Sequence, residues 1–388
     1  MTLDHIGIAI SSPAQEALFE GLLVAAPYKA ETVEREGVRT VFFGDGGVAG
    51  AAPKLELLDA LAEDTPVGQF LARRGPGLHH LAFEVDDLDV EMARVRDLGI
   101  RLLADVPKAG ADGKRIVFLH PKDTAGVLVE LCQSVRTPPV CVDVPYGDTT
   151  LAVWTSGPEH APPLVVLHGA LGSTTLETDR LVRHWERDHR VLALDFEGHG
   201  ASGDTGRVPD WAAFVDSVRT VCEAFDLQRA ALFGFSMGGS VALAAANALP
   251  DRFARVAVHA VNVQWTEDEV PPMVDPMDPV RMETEHPYWA RRLRETHGER
   301  WQALVTRMIA FTRALPGDHI SDALLGSLVQ PVLVSAGDAD RFFDLRHAVH
   351  LRRTIPNARL WVLPGLDHPI QGLDAASFAR TVGAFLSA

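Results

Sequence analysis

The sequence predicts two domains of different class: a tandem βαβββ module (α+β) over residues 1–134, and an α/β domain with a parallel sheet and a helical cap over residues 149–388. Three observations carry this. Short apolar segments of the first third recur at a nearly constant offset, the mark of an internal duplication. Beyond residue 149 the pattern changes to continuous apolar runs alternating with helical stretches, as expected of strands covered on both faces. Length agrees, since at about 150 residues per domain a chain of 388 holds two.

The repeat comes first along the chain. Asp4-His5-Ile6-Gly7-Ile8-Ala9-Ile10 recurs as His79-His80-Leu81-Ala82-Phe83-Glu84-Val85, an offset of 75. Val41-Phe42-Phe43 and Val117-Phe118-Leu119 stand 76 apart, and Lys54-Leu55-Glu56-Leu57 and Leu128-Val129-Glu130-Leu131 stand 74 apart. Each half reads as a strand, an amphipathic helix and further strands. The helices cover residues 13–23 and 88–98, the second with Met92, Val95 and Leu98 at helical spacing. Gly44-x-Gly46-x-x-Ala49 has the outline of a dinucleotide loop, but it leads into the strand at Leu55 instead of a helix and is read as a turn.

Each half contributes one histidine and one glutamate at matched positions: His5 with Glu56, and His80 with Glu130. Side chains alternate along a strand, so in Leu55-Glu56-Leu57 and Val129-Glu130-Leu131 the carboxylate points away from its apolar neighbours, into a concave face. Pairing of the halves about a pseudo-twofold axis brings the four together. Two neutral imidazoles and two carboxylates offset a divalent charge and leave coordination positions for water or a chelating substrate. A lone glutamate on a strand is ordinary surface; matched residues in both halves of a repeat are not. His79 is the alternative ligand to His80, which is preferred because it aligns with His5.

These residues resemble the vicinal-oxygen-chelate superfamily and, within it, methylmalonyl-CoA epimerase. The resemblance runs through Asp4-His5-Ile6-Gly7, Lys54-Leu55-Glu56-Leu57-Leu58, Gly77-Leu78-His79-His80-Leu81, Val85-Asp86-Asp87, Phe118-Leu119-His120-Pro121-Lys122-Asp123 and Gly126-Val127-Leu128-Val129-Glu130-Leu131. It covers nearly all of residues 1–134. It implies a divalent metal, open among cobalt, zinc, manganese, magnesium and nickel, that chelates the carboxylate and thioester carbonyl of a 2-substituted malonyl-CoA. Such an ion acidifies the carbon between those groups by stabilising enolate-like charge. Racemisation needs a base on each face. Glu130 matches a family carboxylate that binds metal. Some relatives carry a second carboxylate on the preceding strand, where this chain has Thr40, so the second base is unassigned.

Residues 135–148 collect Pro138, Pro139, Pro145 and Gly147 and are expected to form a linker. Beyond them Leu164-Val165-Val166-Leu167, Val191-Leu192-Ala193-Leu194, Ala230-Ala231-Leu232-Phe233 and Val332-Leu333-Val334-Ser335 are the strands of the predicted parallel sheet. Between residues 265 and 325 the rhythm breaks. Pro271, Pro272, Pro276, Pro279 and Pro287 precede a helical stretch rich in Arg and Glu, which reads as a cap over the sheet.

Gly234-Phe235-Ser236-Met237-Gly238-Gly239 follows one of these strands and precedes a small-residue helix at residues 240–249. Gly-x-Ser-x-Gly in a strand–turn–helix context presents a serine on a strained bend, with glycines on either side for clearance. No lysine follows the glycines, which excludes a phosphate-binding loop. A serine hydroxyl needs an imidazole base oriented by a carboxylate. The chain supplies Asp340 in Ser335-Ala336-Gly337-Asp338-Ala339-Asp340 and His368 in Leu363-Pro364-Gly365-Leu366-Asp367-His368-Pro369. Asp338 is the alternative acid, and His347 and His350 are the alternative bases. The oxyanion hole is expected from the N–H of Met237 and of Ala170 in His168-Gly169-Ala170-Leu171-Gly172, with Leu171 the alternative. The side chain of His168 is expected to order that loop. Together with Leu194-Asp195-Phe196-Glu197-Gly198-His199-Gly200-Ala201-Ser202, these strings resemble the α/β-hydrolase superfamily over residues 149–388. A serine at position 236 argues against the members whose nucleophile is aspartate. Trp265, Met273, Met277, Met282, Trp289, Trp301 and Met308 lie in the cap and suit either its packing or an acyl or aromatic group.

Composition limits the partners. The chain carries 36 Lys+Arg against 52 Asp+Glu, a formal charge of −16, and has no basic stripe to bind nucleic acid. Its longest run of small and apolar residues, 241–246, is far short of the roughly 20 needed to cross a bilayer. Asp4 and His5 stand where an export signal would be apolar. Cys132, Cys141 and Cys222 have no metal or redox spacing, which fits a reducing, cytoplasmic setting. The reading is a homo-oligomeric fusion: a metal-binding, epimerase-like domain joined to a serine hydrolase that cleaves an ester, lactone or thioester, such as an acyl-CoA, of a carboxylated acyl group. The alternatives are an isomerase or lyase activity of the first domain as the main chemistry, or a first domain that only binds ligand or dimerises.

Overall fold

The computed structural model describes residues 1–44, 53–85, 87–135, 137–317 and 320–388. Contacts divide the chain into two units, Met1–Thr137 and Pro138–Ala388. The glycine string expected to turn after Gly44 lies, from residue 45 on, outside the described residues.

The first unit runs β1 (Thr2–Ile10), α1 (Pro13–Leu23), β2 (Lys29–Val33), β3 (Val38–Phe43), β4 (Lys54–Ala60), α2 (Pro66–Arg74), β5 (Gly77–Glu84), α3 (Leu88–Asp97), β6 (Lys108–Ala109), β7 (Lys114–Leu119) and β8 (Leu128–Ser134). Its 8-stranded sheet has the order β2-β3-β4-β1-β5-β8-β7-β6. The order is symmetric about the antiparallel β1–β5 pair, and β4 and β8 lie parallel to their inner neighbours. The duplication in the sequence has thus become two equivalent half-sheets. α2, which joins them, has no counterpart in the sequence reading. Its start is fixed by Thr65, whose hydroxyl accepts the Gly68 N–H at 3.1 Å, and by Pro66 at the first helical position.

Two irregularities in the central pair matter for the site. Across β1 and β5, Leu3 faces Phe83 and His5 faces Ala82, leaving Asp4 as the extra residue; Gly7 faces His80 and Ile8 faces Leu78, leaving His79 as the extra residue. Both are β-bulges, which re-aim a side chain that a regular strand would send to the opposite face.

The second unit runs β9 (Val140–Tyr146), β10 (Thr149–Ser156), β11 (Pro163–Leu167), α4 (Asp179–Trp185), β12 (Arg190–Leu194), α5 (Trp211–Ala224), β13 (Ala230–Phe235), α6 (Met237–Ala248), β14 (Phe253–His259), α7 (Val270–Val274), α8 (Pro279–Glu285), α9 (Pro287–His297), α10 (Trp301–Ala314), α11 (Asp322–Gly326), β15 (Val332–Gly337), α12 (Leu345–Thr354), β16 (Ala358–Leu363) and α13 (Ala375–Ser387). Its sheet has the order β16-β15-β14-β13-β11-β12-β10-β9. The strands from β16 to β12 are parallel, and β10 and β9 are antiparallel. The apolar runs of β11, β12, β13 and β15 are buried because both faces are covered. α5, α6 and α12 contribute to the core on one side, and α4 and α13 to the core on the other.

One expectation is corrected here. Residues 135–148 are not all linker, since Val140–Tyr146 forms β9, which among the described residues pairs only with β10. An edge strand tolerates Pro145 because only one side of its ladder is used, and Gly147 at φ 55° supplies the hairpin turn. α7 to α10 all fall within residues 265–325, the stretch read as a cap. Of the cap residues suited to an acyl group, Met282, Trp301 and Met308 are buried in the core of the unit.

Candidate functional site

Burial concentrates polar chemistry at two places. In the first unit, one face of the sheet lines a cavity of about 670 Å³, and His5, Glu56, His80 and Glu130 all open onto it while each staying buried. His5 Nε2 and His80 Nε2 lie 3.0 Å apart. Glu56 Oε2 stands 3.2 Å from His5 Nε2 and 3.4 Å from His80 Nε2, and Glu130 Oε2 is 3.8 Å from His80 Nε2. Ligands about 2.1 Å from a divalent ion stand roughly 3.0 Å apart in an octahedron and roughly 3.4 Å apart in a tetrahedron. His5, Glu56 and His80 therefore fit such an ion, with imidazole and carboxylate ligands of the expected kind, and Glu130 stands farther off.

The two bulges provide the next layer. Asp4 Oδ2 accepts from His5 Nδ1 at 2.7 Å, and His79 Nδ1 lies 3.0 Å from His80 Nδ1. Each contact engages the nitrogen turned away from the cluster and so leaves Nε2 for a ligand role. Asp4 is itself anchored by Lys114 at 2.7 Å and Lys54 at 3.4 Å. Burial raises the Asp4 carboxyl, but His5 and the two lysines outweigh it and hold it well below the usual carboxylate range. Burial disfavours the His5 cation, yet Asp4 and Glu56 carry its pKa up to about 10. For Glu56, burial is likewise outweighed by His5 and His80, which bring it down to about 2. Glu130 is raised, chiefly by burial. Burial and the neighbouring His80 push His79 down to about 4, so it stays a neutral acceptor. A second acidic cluster, Asp4, Glu84 and Cys132, encloses Lys114 Nζ, so the cation it holds is a lysine.

In the second unit, Ser236 sits between β13 and α6 with φ 51° and ψ −119°, a left-handed conformation that costs a non-glycine residue of order 1–3 kcal/mol. The Ser236 N–H donates to His259 O at 2.9 Å. The flanking glycines are sterically required: a Cβ on Gly234 would strike the Gly238 backbone, and one on Gly238 would strike the carbonyls of His168 and Leu167. Ser236 Oγ lies 3.2 Å from His368 Nε2, and His368 Nδ1 lies 2.8 Å from Asp340 Oδ2. The other Asp340 oxygen accepts the N–H groups of Phe342 and Phe343 at 2.8 and 2.9 Å, so the carboxylate is held by three donors. Edge-on contacts from Phe342 and Phe343 confine the imidazole.

Comparison with known proteins separates the units in the same way. Residues 4–118 match the model of the glyoxalase/bleomycin resistance protein/dioxygenase superfamily, and residues 162–305 match that of the alpha/beta hydrolase fold. The YqjC protein of Bacillus subtilis is 42% identical over 132 residues, 34% of this chain and 91% of its own length. Human mitochondrial methylmalonyl-CoA epimerase is 37% identical over 134 residues, 34% of this chain and 73% of its own length. The chain belongs to the glyoxalase superfamily through its first unit, and its second unit has the alpha/beta hydrolase fold. An esterase from a Rhodococcus species, 24% identical, superposes with a TM-score of 0.52 over 65% of this chain and 99% of its own, a likeness of fold.

In the hydrolase unit the alternatives are drawn elsewhere. Asp338 is exposed and accepts the Gly365 N–H at 2.6 Å, bracing the turn ahead of His368. His347 pairs with Glu269 and His350 with Asp322, both on α12. Met237 opens α6, so its N–H is one of the first-turn donors with no helical acceptor. Ala170 is exposed next to the elbow loop, while Leu171 stands at φ 58° with its carbonyl engaged by His297 Nε2 at 3.0 Å. His168 is buried, bonded through Nδ1 to Gly169 O and through Nε2 to the Phe196 N–H, and so orders its loop. In the epimerase-like unit, Thr40 lines the cavity and donates its hydroxyl to Glu31 O at 3.4 Å.

Sequence reasoning passed over Asp4, Glu177 and His297. Asp4 carried a signal, since it occupies the repeat position of His79. Glu177 and His297 lie in unremarkable strings and become notable only through their partners. All three cysteines are free. No helix among the described residues is long and apolar enough to cross a membrane.

Proposed function

We propose that the hydrolase unit cleaves an ester or thioester of a carboxylated acyl group, and that the epimerase-like unit binds the same class of acyl compound beside a divalent ion. The hydrogen-bonded chain Ser236–His368–Asp340, on a strained elbow, carries the first statement. Ser236 Oγ attacks the acyl carbonyl while His368 Nε2 takes its proton, and Asp340 keeps Nδ1–H directed and balances the imidazolium. Met237 N–H and Ala170 N–H receive the carbonyl oxygen as it gains charge. The tetrahedral species collapses, His368 returns the proton to the departing alkoxide or thiolate, and an acyl-Ser236 ester remains. Water, deprotonated by His368, then releases the acid and restores the serine.

In the epimerase-like unit, His5, Glu56, His80 and Glu130 are the groups that would hold the ion. When bound, it supplies Lewis-acid stabilisation of charge on a chelated carboxylate and carbonyl. Glu130, buried and standing 3.8 Å from His80 Nε2, is the carboxyl that would exchange a proton with the substrate carbon. Thr40 offers only a hydroxyl where a second base would stand. This favours the hydrolase as the principal catalyst over an epimerase activity. The similarity to an enzyme named for methylmalonyl-CoA supports acyl-CoA thioesters as the shared substrate class. The large cavity over the four residues supports the second reading, isomerisation or lyase chemistry in the first unit.

The test is a panel of 4-nitrophenyl esters, lactones and acyl-CoA thioesters turned over by wild type, Ser236→Ala and His80→Ala, with product mass and stereochemistry followed and bound metal quantified. Release of acid that vanishes in Ser236→Ala supports the reading. Turnover retained in Ser236→Ala and lost in His80→Ala moves the chemistry to the first unit.

A further inference from the structure

This inference rests on the serine-hydrolase reading of the second unit and concerns what sets its oxyanion loop. Residues His168 to Gly172 leave the end of β11 and include Leu171 at φ 58°, a conformation that persists only where the surroundings impose it. Two side chains grip this loop. Glu177 lies in the five-residue π-helical turn Thr174–Thr178, and its Oε2 accepts the Gly169 N–H at 2.7 Å. His297, the last residue of α9, donates Nε2–H to Leu171 O at 3.0 Å while its Nδ1 accepts the Gly200 N–H, also at 3.0 Å. Both His297 nitrogens are thereby used, which fixes its tautomer.

One glycine of the loop is shaped to the Glu177 carboxyl. A Cβ on Gly172 would meet Glu177 Oε2, Cδ and Oε1 before any other atom, all closer than 3 Å. A Cβ on Gly169 would meet the Phe235 ring at 3.1 Å and Glu177 Oε2 at 3.2 Å, so only Gly172 is cut to the carboxyl alone. Gly172 is not in the left-handed region, so no backbone strain demands glycine there; the space is taken by the carboxyl. We propose that Glu177 is a positioning residue for the oxyanion hole: its carboxyl, seated against Gly169 and Gly172, fixes the Gly169 backbone and so aims the Ala170 N–H at the carbonyl oxygen of an acyl group on Ser236. Burial pushes the Glu177 pKa up to about 8, so the group is neutral near pH 7 and glutamine is its close replacement as an acceptor.

The experiment compares full-length wild type, Glu177→Ala, Glu177→Gln, Gly172→Ala and the Gly172→Ala/Glu177→Ala double variant. Two readouts are used: hydrolysis of 4-nitrophenyl butyrate, and inhibition by butylboronic acid, which mimics the tetrahedral adduct. Loss of a whole oxyanion donor costs roughly 10²–10³ in kcat, so a misaimed one should cost about 10–100-fold. Glu177→Ala is expected to lower kcat by that factor, leave KM within about threefold and weaken the boronate in proportion. Glu177→Gln is expected to restore kcat to within about threefold of wild type. Gly172→Ala should match Glu177→Ala, and the double variant should be no worse than either single one. Glu177→Met, which keeps volume but not the acceptor, replaces Glu177→Ala if that variant does not fold. A kcat for Glu177→Ala within twofold of wild type, a change confined to KM, or additive losses in the double variant would overturn the proposal. Labelling with a fluorophosphonate separates the two levels of failure. A wild type that neither labels at Ser236 nor hydrolyses the ester brings down the hydrolase reading and this proposal with it, whereas a labelled wild type with an indifferent Glu177 brings down the proposal alone.

Discussion

Gly7 lies across from His80 in the β1–β5 pair, and its missing side chain decides where that imidazole can stand. A Cβ at position 7 would meet His80 Cε1, Nδ1 and Nε2 first, each closer than 3 Å. Non-bonded carbons sit at about 3.5–4.0 Å, so the ring would have to retreat by roughly 1 Å. It has little room, being 3% exposed and bounded edge-on by His5, His79 and Phe118. A shift of that size exceeds the ±0.2 Å or so within which metal–ligand distances are set. Gly7→Ala is therefore expected to weaken divalent-ion binding at least 10–100-fold, the range seen when a ligand's orientation is disturbed, or about 1.4–2.8 kcal/mol. The assay is titration with cobalt(II), followed by its visible absorption and by competition with a chromogenic chelator. Hydrolysis of 4-nitrophenyl butyrate serves as the control, since Ser236 belongs to the other unit. A Gly7→Ala protein that binds one equivalent of cobalt with wild-type affinity and spectrum would refute the assignment of His80 as a ligand.

Asp340→Asn should lower kcat for ester hydrolysis by about 10⁴-fold with little change in melting temperature, because the imidazole loses its orienting acceptor and not its place; activity within tenfold of wild type would transfer the role to another carboxylate. Asp4→Asn should reduce divalent-ion affinity about 10–100-fold through loss of the anion behind His5, measured by the same competition titration, and an unchanged affinity would separate Asp4 from the metal set. Glu177 gives a pH-dependent stability. Its folded pKa of about 8 lies above the ordinary 4.5, so the folded chain holds this proton the longer. The associated stability is full below about pH 4.5 and is lost as pH rises through 8. Glu177→Gln, neutral throughout, should thus gain melting temperature relative to wild type progressively between those pH values, and a difference independent of pH would reject the shift.

Much of this was legible in the residues because the signals are local or repeated. The offset of 75 between His5 and His80 located both half-sheets, and the glycines around Ser236 announced a bend whose steric reason the structure supplies. The features that escaped depend on distant partners. β14 reads poorly because Arg255 interrupts its apolar run, although its neighbours β13 and β15 make it a buried strand. β9 was hidden by Pro145, which only an edge position makes acceptable. The bulges at Asp4 and His79 are properties of register between two strands, and no residue type encodes register alone. Glu177 looks like any polar residue of a surface turn until Gly169 and Gly172 are seen to be folded against it.

The same register explains an asymmetry in the candidate metal centre. Positions 4 and 79 are equivalent in the duplication, both are bulged, and both engage the Nδ1 of the following histidine. One is a carboxylate pinned by two lysines and the other a neutral imidazole. An anion behind an imidazole raises its basicity as a ligand, whereas a neutral acceptor only fixes its tautomer. His5 would therefore be the stronger donor of the pair if an ion were held here. The duplicated scaffold thus presents two inequivalent halves to its cavity. That inequality agrees with Glu130 being a buried carboxyl on one strand while its nearest candidate counterpart, Thr40, has none. Both features make the two halves of the cavity chemically unequal, with a carboxyl on one strand and only a hydroxyl on the other.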